Sequence, residues 1–401
     1  MVELQICRSC GGPLSGGVCA ICTAQEAYRE IHKDIVLLVL LSLLAVGLFL
    51  AAKAMATSEK RMEERVAGIW YLRGSSQLSS GNVESAIDSF RRAITGDRAN
   101  RKFTLALANA LSTGNHPLEA REALLRLRES DPEDAEINLS LAKLEANSGN
   151  LPDAVHFYQN ALYGQWTGSH VDERRQQVRL ELIHLLLDHN QRSRALSELL
   201  ILGSEVPQSA GANAEIAKLF LSAGDAQHAL GYFENSLRSD PRNADSLAGA
   251  GDAAFRLGEY TKALHYLQAA VNQGRNSGPS LELFDLTKTV VSWDPLQPDL
   301  SKSERQARLL RGLNQALQRV SSCAGVNVTG EETSQLKSLQ SEAEKAKYSI
   351  QKSRRPPDSD DPRSELELIY QIEETANRAC GNATGPDLGL LLIGRRHLGA
   401  Q

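Results

Sequence analysis

Residues 135–168 read AEINLSLAKLEANSGNLPDAVHFYQNALYGQWTG, and residues 244–277 read ADSLAGAGDAAFRLGEYTKALHYLQAAVNQGRNS. Superposed as 34-residue blocks, both place a small residue at position 8, alanine at position 20 and a bulky apolar residue at position 24. The same register runs along the chain from starts at Ala67, Arg101, Ala135, Gln176, Ala210 and Ala244. Position 20 is then Ala86, Ala120, Ala154, Ala195, Ala229 and Ala263. Position 8 is Gly74, Ala108, Ala142, Ile183, Ala217 and Gly251, with only Ile183 large. Position 24 holds Phe90, Leu124, Tyr158, Leu199, Phe233 and Leu267, and position 32 is proline at Pro132, Pro207 and Pro241. Each choice has a mechanical reason: small residues let two helices approach, the bulky residue fills the gap between neighbours, and proline stops the second helix.

The period and these positions closely resemble the tetratricopeptide repeat, whose unit is a helix, a turn and a second helix in 34 residues. The resemblance implies a mainly α protein, a solenoid of about six repeats over 67–275. It also implies a concave groove lined by the first helix of each repeat, chiefly positions 2, 5, 9 and 12. Position 9 is Ser75, Asn109, Lys143, His184, Lys218 and Asp252, a polar row in which Asn109 to Asp252 are the candidate partner-binding residues. Leu105, Leu139 and Leu180 at position 5, with Leu187, Leu221 and Phe255 at position 12, add apolar surface suited to an amphipathic segment. An ordinary solvated face is the competing reading. One subclass grips a C-terminal carboxylate through lysine at position 5 and asparagines at 9 and 6; here Leu105 and Ser140 replace two of these, so only Asn109 matches.

The step from Ala154 to Ala195 exceeds the period by seven residues, which are expected as a longer turn around Gly164 to Glu173. Beyond the sixth repeat, Leu281–Ser292 and Ser303–Val320 read as a divergent capping pair within 278–322, separated by WDPLQPDL from Trp293. Leu336, Leu339, Ala343, Ala346 and Ile350 alternate three and four apart, as do Ile369, Ile372, Ala376 and Ala379. Two pairing helices over 330–381 follow, with the turn in RRPPDSDDPRS from Arg354 to Ser364. The tail 382–401 contains LGLLLIG, too short to span a membrane and expected to pack on the hairpin.

At the other end, residues 35–52, IVLLVLLSLLAVGLFLAA, carry no charge and lie between Asp34 and Lys53. Eighteen helical residues cover about 27 Å, against about 30 Å of bilayer hydrocarbon, and Ala54 to Ala56 extend the run. A single transmembrane helix over 35–56 is expected, an uncleaved signal anchor. Glu59 to Val66 shows no helix breaker, so the span is expected to run nearly straight into the first repeat.

Before it, CRSCGGPLSGGVCAIC places Cys7, Cys10, Cys19 and Cys22 as two C-x-x-C knuckles eight residues apart. Each knuckle aims two sulfurs at one centre, and Gly11, Gly12, Gly16 and Gly17 permit the tight backbone. The spacing resembles the short zinc ribbons at the N-termini of many prokaryotic membrane proteins. It implies a structural Zn2+ in a ribbon over 1–30; two disulfides, free thiols, or iron on the same ligands are the alternatives.

Cys323 and Cys380 stand apart from this group and are expected to form a disulfide, because antiparallel folding of the hairpin returns Cys380 towards Cys323; two unrelated buried thiols are the alternative. Charge counting gives Arg29 and Lys33 before the span against Lys53, Lys60, Arg61 and Arg65 after it, favouring a cytoplasmic C-terminal side. The four thiols need a reducing compartment and favour the reverse. The cysteines are weighted more heavily: N-terminus cytoplasmic and repeats periplasmic in a bacterial inner membrane, with the opposite topology as the alternative.

A net charge of -5 over 401 residues, with pI about 6.0, argues against nucleic acid. No H-E-x-x-H, G-x-x-x-x-G-K-[ST] or G-x-S-x-G motif occurs, and GAGDAA at Gly249 lies within a repeat helix and follows no strand. No enzyme activity and no small-molecule substrate are expected. The expected role is a membrane-anchored scaffold for protein or peptide partners; the alternative is a sensor whose zinc ribbon contacts a cytoplasmic partner.

Overall fold

The computed structural model describes residues 6–15, 17–205, 209–323, 331–352 and 362–399; Gly16, Pro207 and the turn residues Arg354 to Asp361 singled out above lie outside them. A two-stranded hairpin, β1 (Leu14–Ser15) and β2 (Val18–Cys19), leads into one helix, α1 (Ala20–Ser79), which pairs with α2 (Val83–Gly96). Five helical hairpins follow: α3 (Arg101–Thr113) with α4 (Pro117–Ser130), α5 (Ala135–Asn147) with α6 (Leu151–Tyr163), α7 (Val171–Asp188) with α8 (Arg192–Glu205), α9 (Ala210–Ala223) with α10 (Ala226–Ser239), and α11 (Ala244–Arg256) with α12 (Tyr260–Asn272).

Local chemistry punctuates each unit. Four of the six repeats have their first helix capped just before its start: the side chains of Asn100, Asp134, Ser209 and Asn243 accept from backbone N–H groups of the opening turn. The turn between paired helices needs one left-handed residue, always at position 15: Gly81, Asn115, Gly149, Asn190, Gly224 and Gly258 all have φ between 56° and 89°. Glycine meets no Cβ penalty there, and asparagine tolerates this region better than other side chains do.

Packing follows the sequence register. All six position-20 alanines are completely buried, as are or nearly are the six bulky residues at position 24. Positions 8 and 24 of one repeat face each other: a Cβ on Gly74 would lie 2.8 Å from the Phe90 ring, and one on Gly251 would lie 2.5 Å from Leu267 Cγ. Ile183, the large exception, is itself fully buried in a cluster with Leu199 and Leu202.

The insertion differs from the expected long turn. Only Gly164 to His170 is loop; the remaining residues lengthen α7 to 18 residues, against 13 or 14 in the other repeats' first helices from α3 onward. The helix starts early because Asp172 and Glu173 sit in its first turn, where the helix dipole favours negative charge. The loop's first half folds back on the α4–α5 turn: Gln165 bonds Glu133 and Ala135 through its backbone, and Gly164 passes so close that a Cβ would lie 2.6 Å from Glu133 O. The chain divides into two compact units within this loop, Met1–Thr167 and Gly168–Gln401.

In the first unit, α1 is continuous from the cysteine head through the apolar run into the first repeat. At about 1.5 Å per residue its 60 residues extend about 90 Å. It contains a stretch long and apolar enough to cross a membrane, mean hydropathy 3.0, with none of that window buried.

In the second unit, the expected capping pair is not a pair. α13 (Pro279–Trp293) packs mainly on α12 and on α17 (Gly385–Leu398), the helix formed by the tail. α14 (Lys302–Cys323) instead joins α15 (Glu331–Lys352) and α16 (Arg363–Cys380). Leu313, Ala316, Leu336, Leu339, Ala343, Ile369, Ile372 and Ala376 share one core with Leu390 and Ile393 of α17. Glycines let α17 lie close: a Cβ on Gly394 would meet Tyr370 at 2.3 Å.

Ala154→Leu is expected to lower stability by about 1 to 3 kcal/mol, because position 20 has no room for a branched side chain. Thermal or urea denaturation reads it, and an unchanged midpoint would contradict the packing described.

Candidate metal centre and repeat grooves

The head is built by two tight turns. Cys7 N–H donates to Gly12 O and Gly11 N–H to Cys7 O, both at 2.9 Å, with Gly11 at φ 70°. The hairpin then pairs Leu14 with Cys19, and α1 begins directly after Cys19, so Cys22 stands in its first turn. The four sulfurs lie within 4.8 Å of one another, with Cys7 to Cys22 at 3.8 Å and Cys10 to Cys19 at 3.3 Å. Four sulfurs each about 2.3 Å from one ion would stand about 3.8 Å apart, so the set fits a tetrahedral cation. Backbone N–H groups of Ser9 and Cys10 pull the Cys7 thiol down to about 7. Cys19 is lowered chiefly by the Cys22 backbone N–H, whereas hydrogen bonding among the sulfurs, Cys10 first, pushes Cys22 up to about 12. Cys7 and Cys19 are thus drawn towards the thiolate form that ligates metal, while Cys10 and Cys22 are held towards the protonated thiol.

In the first unit, Asn109 on α3 and Lys143 on α5 are exposed, but Leu105, expected as groove surface, is buried. In the second unit, Lys218 and Asp252 line one open cleft of about 470 Å³ with Leu221, Ala248, Gly249 and Leu283. Its charged residues are paired: Lys218 with Glu215 at 2.7 Å, Asp252 with Arg256 through two contacts of 2.8 and 2.9 Å, and Asp245 with Arg275. Gly249 opens the floor, since a Cβ there would lie 2.2 Å from Phe233. His184 is exposed on α7 and does not line this cleft.

Cys323 and Cys380 are joined by a disulfide with their Cα atoms 5.6 Å apart. One turn away lies a charge network that the sequence reading missed. Arg319 donates to Asp387 Oδ2 at 2.9 Å and to Gly381 O at 2.8 Å, and its Nε lies 3.2 Å from Glu373 Oε2. Glu373 is fully buried and neither of its carboxylate oxygens accepts a hydrogen bond. Burial, and after it the Asp387 charge, push its carboxyl up to about 8 against the pull of Arg319. A second buried acid, Asp294, accepts from Leu296 N–H at 2.9 Å and lies 2.9 Å from His397 Nε2. These partners stand 68 and 103 residues apart, so no local spacing announces them. The available signal was charge inside apolar helix faces, Glu373 between Ile372 and Ala376 among them.

A family model described as tetratricopeptide repeat matches residues 41–101, 105–170 and 214–279; the second and third matches fall on the helical hairpins α3 to α6 and α9 to α12, and the first begins within the apolar run. The chain carries tetratricopeptide repeats. Many solved structures match part of this chain. Pseudomonas aeruginosa pilF is 18% identical over 54% of this chain and 95% of its own, with TM-score 0.37. YrrB, described as a tetratricopeptide-repeat protein with an unusual peptide-binding site, is 20% identical over 48% and 95%, with TM-score 0.38. The C-terminal part of a repeat-containing protein from Cytophaga hutchinsonii is 11% identical over 60% and 92%, with TM-score 0.42. No curated protein sequence matches. Tetratricopeptide repeats serve as scaffolds for protein–protein interaction.

Because the folded state holds Glu373 protonated while the unfolded chain ionises it near its ordinary value of 4.5, the native state binds the extra proton between about pH 4.5 and 8. Stability is therefore lost as pH rises through that window, by at most about 1.4 kcal/mol per pH unit from this group. Glu373→Gln is expected to flatten the profile and to exceed the wild type most at pH 8. Parallel profiles in urea denaturation would contradict the burial of an uncharged acid.

Proposed function

We propose that this tetratricopeptide-repeat protein is a membrane-anchored, non-enzymatic scaffold that receives segments of partner proteins in its repeat grooves. The observation that carries the reading is the second-unit cleft. It has an apolar floor of Leu221, Ala248 and Leu283, edged by Lys218, Asp252 and Arg275, and suits the apolar side of an amphipathic segment with polar groups at its rim. Packing consumes positions 8, 20 and 24 and not position 9. Asn109 and Lys143 in the first unit, and His184, Lys218 and Asp252 in the second, are the proposed contacts.

α1 supplies the anchor: residues 35–56 cross a bilayer once, with the ribbon on one side and the repeats on the other. The ribbon holds one structural Zn2+ on Cys7, Cys10, Cys19 and Cys22, leaving no open coordination position for catalysis. A disulfide at Cys323 and Cys380 suits an oxidising compartment, whereas a four-thiolate metal site suits a reducing one, which supports a cytoplasmic N-terminus and periplasmic repeats in a bacterial inner membrane. A second reading, in which the ribbon reports groove occupancy to a cytoplasmic partner, is favoured by the unbroken course of α1 from Cys22 to the first repeat.

Replacing Lys143, His184 and Lys218 together by alanine is expected to reduce photocrosslinked partner at the grooves by tenfold or more while leaving the unfolding midpoint near that of the wild type; unchanged capture would remove the groove assignment. Purified protein is expected to hold one zinc, lost in Cys7→Ser/Cys19→Ser, and protein from cells alkylated before lysis to yield a linked Cys323–Cys380 peptide. Freely alkylated Cys323 and Cys380 would return the repeats to the cytoplasm.

A further inference from the structure

Beyond the span, α1 continues into the first repeat, and only one of its faces is used there. Ala67 is buried with Ala93 and Phe103, Trp70 and Tyr71 pack against that cluster, and Gly74 lies against Phe90. At about 100° per residue, the opposite face carries Met62, Ile69 and Leu72, with Val66 at its edge. These four large apolar residues are 61%, 65%, 67% and 46% exposed, on a stretch that water surrounds if residues 35–56 lie in lipid. The same face continues into the apolar run as Leu44, Gly47 and Ala51, where small residues permit close helix approach.

We infer that this face is covered by α1 of a second copy of the chain, giving a parallel homodimer whose seam runs from the span into the first repeat. Three observations select that occupant. Single-span insertion points every copy the same way, so identical faces meet at identical heights and form a two-fold, self-complementary contact. The face extends from Leu44 inside the lipid to Leu72, about 30 Å past Ala52, so a soluble partner covers only its outer part. A second α1 leaves the bilayer at the same level and covers all of it. Finally, Met55, Met62 and Ile69 recur every seven residues, the spacing at which two parallel helices interlock. Ser58 and Arg65, with Arg73 at its outer end, are the polar residues on the seam, and the facing arginine pairs limit its strength.

The inference rests on the membrane reading above, and its test separates the two. In native membranes holding full-length protein, Met62→Cys, Val66→Cys and Ile69→Cys are oxidised with copper phenanthroline beside Lys60→Cys and Glu64→Cys; the wild-type chain measures background from its own thiols. Dimer yields several-fold higher at 62, 66 and 69 than at 60 and 64 are expected. Flat yields, or conjugates of a mass other than two chains, overturn the pairing. In mild detergent, light scattering is expected to show a two-chain mass that Met62→Glu/Ile69→Glu halves, and a wild-type monomer together with flat yields counts against it. Carbonate extraction of the same membranes reports the anchor independently: a stripped chain overturns the anchor itself, whereas a retained chain with flat yields overturns only the pairing.

Discussion

The close approach of two helices within each repeat is the constraint on which the rest of this structure depends. Where Gly74 faces Phe90 and Gly251 faces Leu267, no Cβ fits, and all six position-20 alanines are sealed from solvent. That distance holds only if the connecting turn reverses the chain in a fixed geometry, which the left-handed residue at position 15 supplies six times. The first helix of the next repeat must also begin at a set place, and the capping side chains of Asn100, Asp134, Ser209 and Asn243 set it for α3, α5, α9 and α11. Local backbone preference and side-chain packing therefore point to the same register, the consistency by which a sequence specifies one fold.

The same constraint separates faces. Because the small and bulky positions are occupied by packing, the polar row at position 9 remains at the surface, where Lys218 and Asp252 edge an apolar floor. The repeat architecture does not depend on what such a floor receives, which is why repeat proteins with one architecture serve many partners. The insertion at Gly164 to His170 interrupts the regular step and coincides with the division into two units, so each unit presents its own groove residues.

A solenoid end exposes the apolar side of its last repeat, and here that end is closed by a bundle rather than by one more hairpin. α17 comes from the C-terminal stretch to lie on both α13 and α16, and α14, α15 and α16 share one core with it. Fastening is polar and covalent as well as apolar: Arg319 ties α14 to α16 and α17, the Cys323–Cys380 bridge holds the same ends, and Asp294 with His397 anchors the final turn. Burying Glu373 without a hydrogen bond costs stability at neutral pH, and the carboxyl answers by keeping its proton.

The sequence by itself determined the repeats, their register and the cysteine cluster, because each is written in short-range spacing: thirty-four residues for the hairpins, two intervening residues for each knuckle, eighteen uncharged residues for the apolar run. The position-15 rule is equally written in Gly81, Asn115, Gly149, Asn190, Gly224 and Gly258, all residue types that accept the left-handed region. Tertiary structure alone decided the partners of distant elements. The tail, expected to pack on the hairpin, becomes a helix that lies on α16 and on α13 as well, and the helix that reads as half of a cap packs mainly on α15 and α16. Leu105 is buried where periodicity placed it on a groove, and Arg319, Glu373 and Asp387 meet across as many as 68 residues of chain. Periodicity fixes which side of a helix is apolar, whereas which surface covers that side depends on the path of the whole chain, and that path is set by packing among elements far apart in sequence.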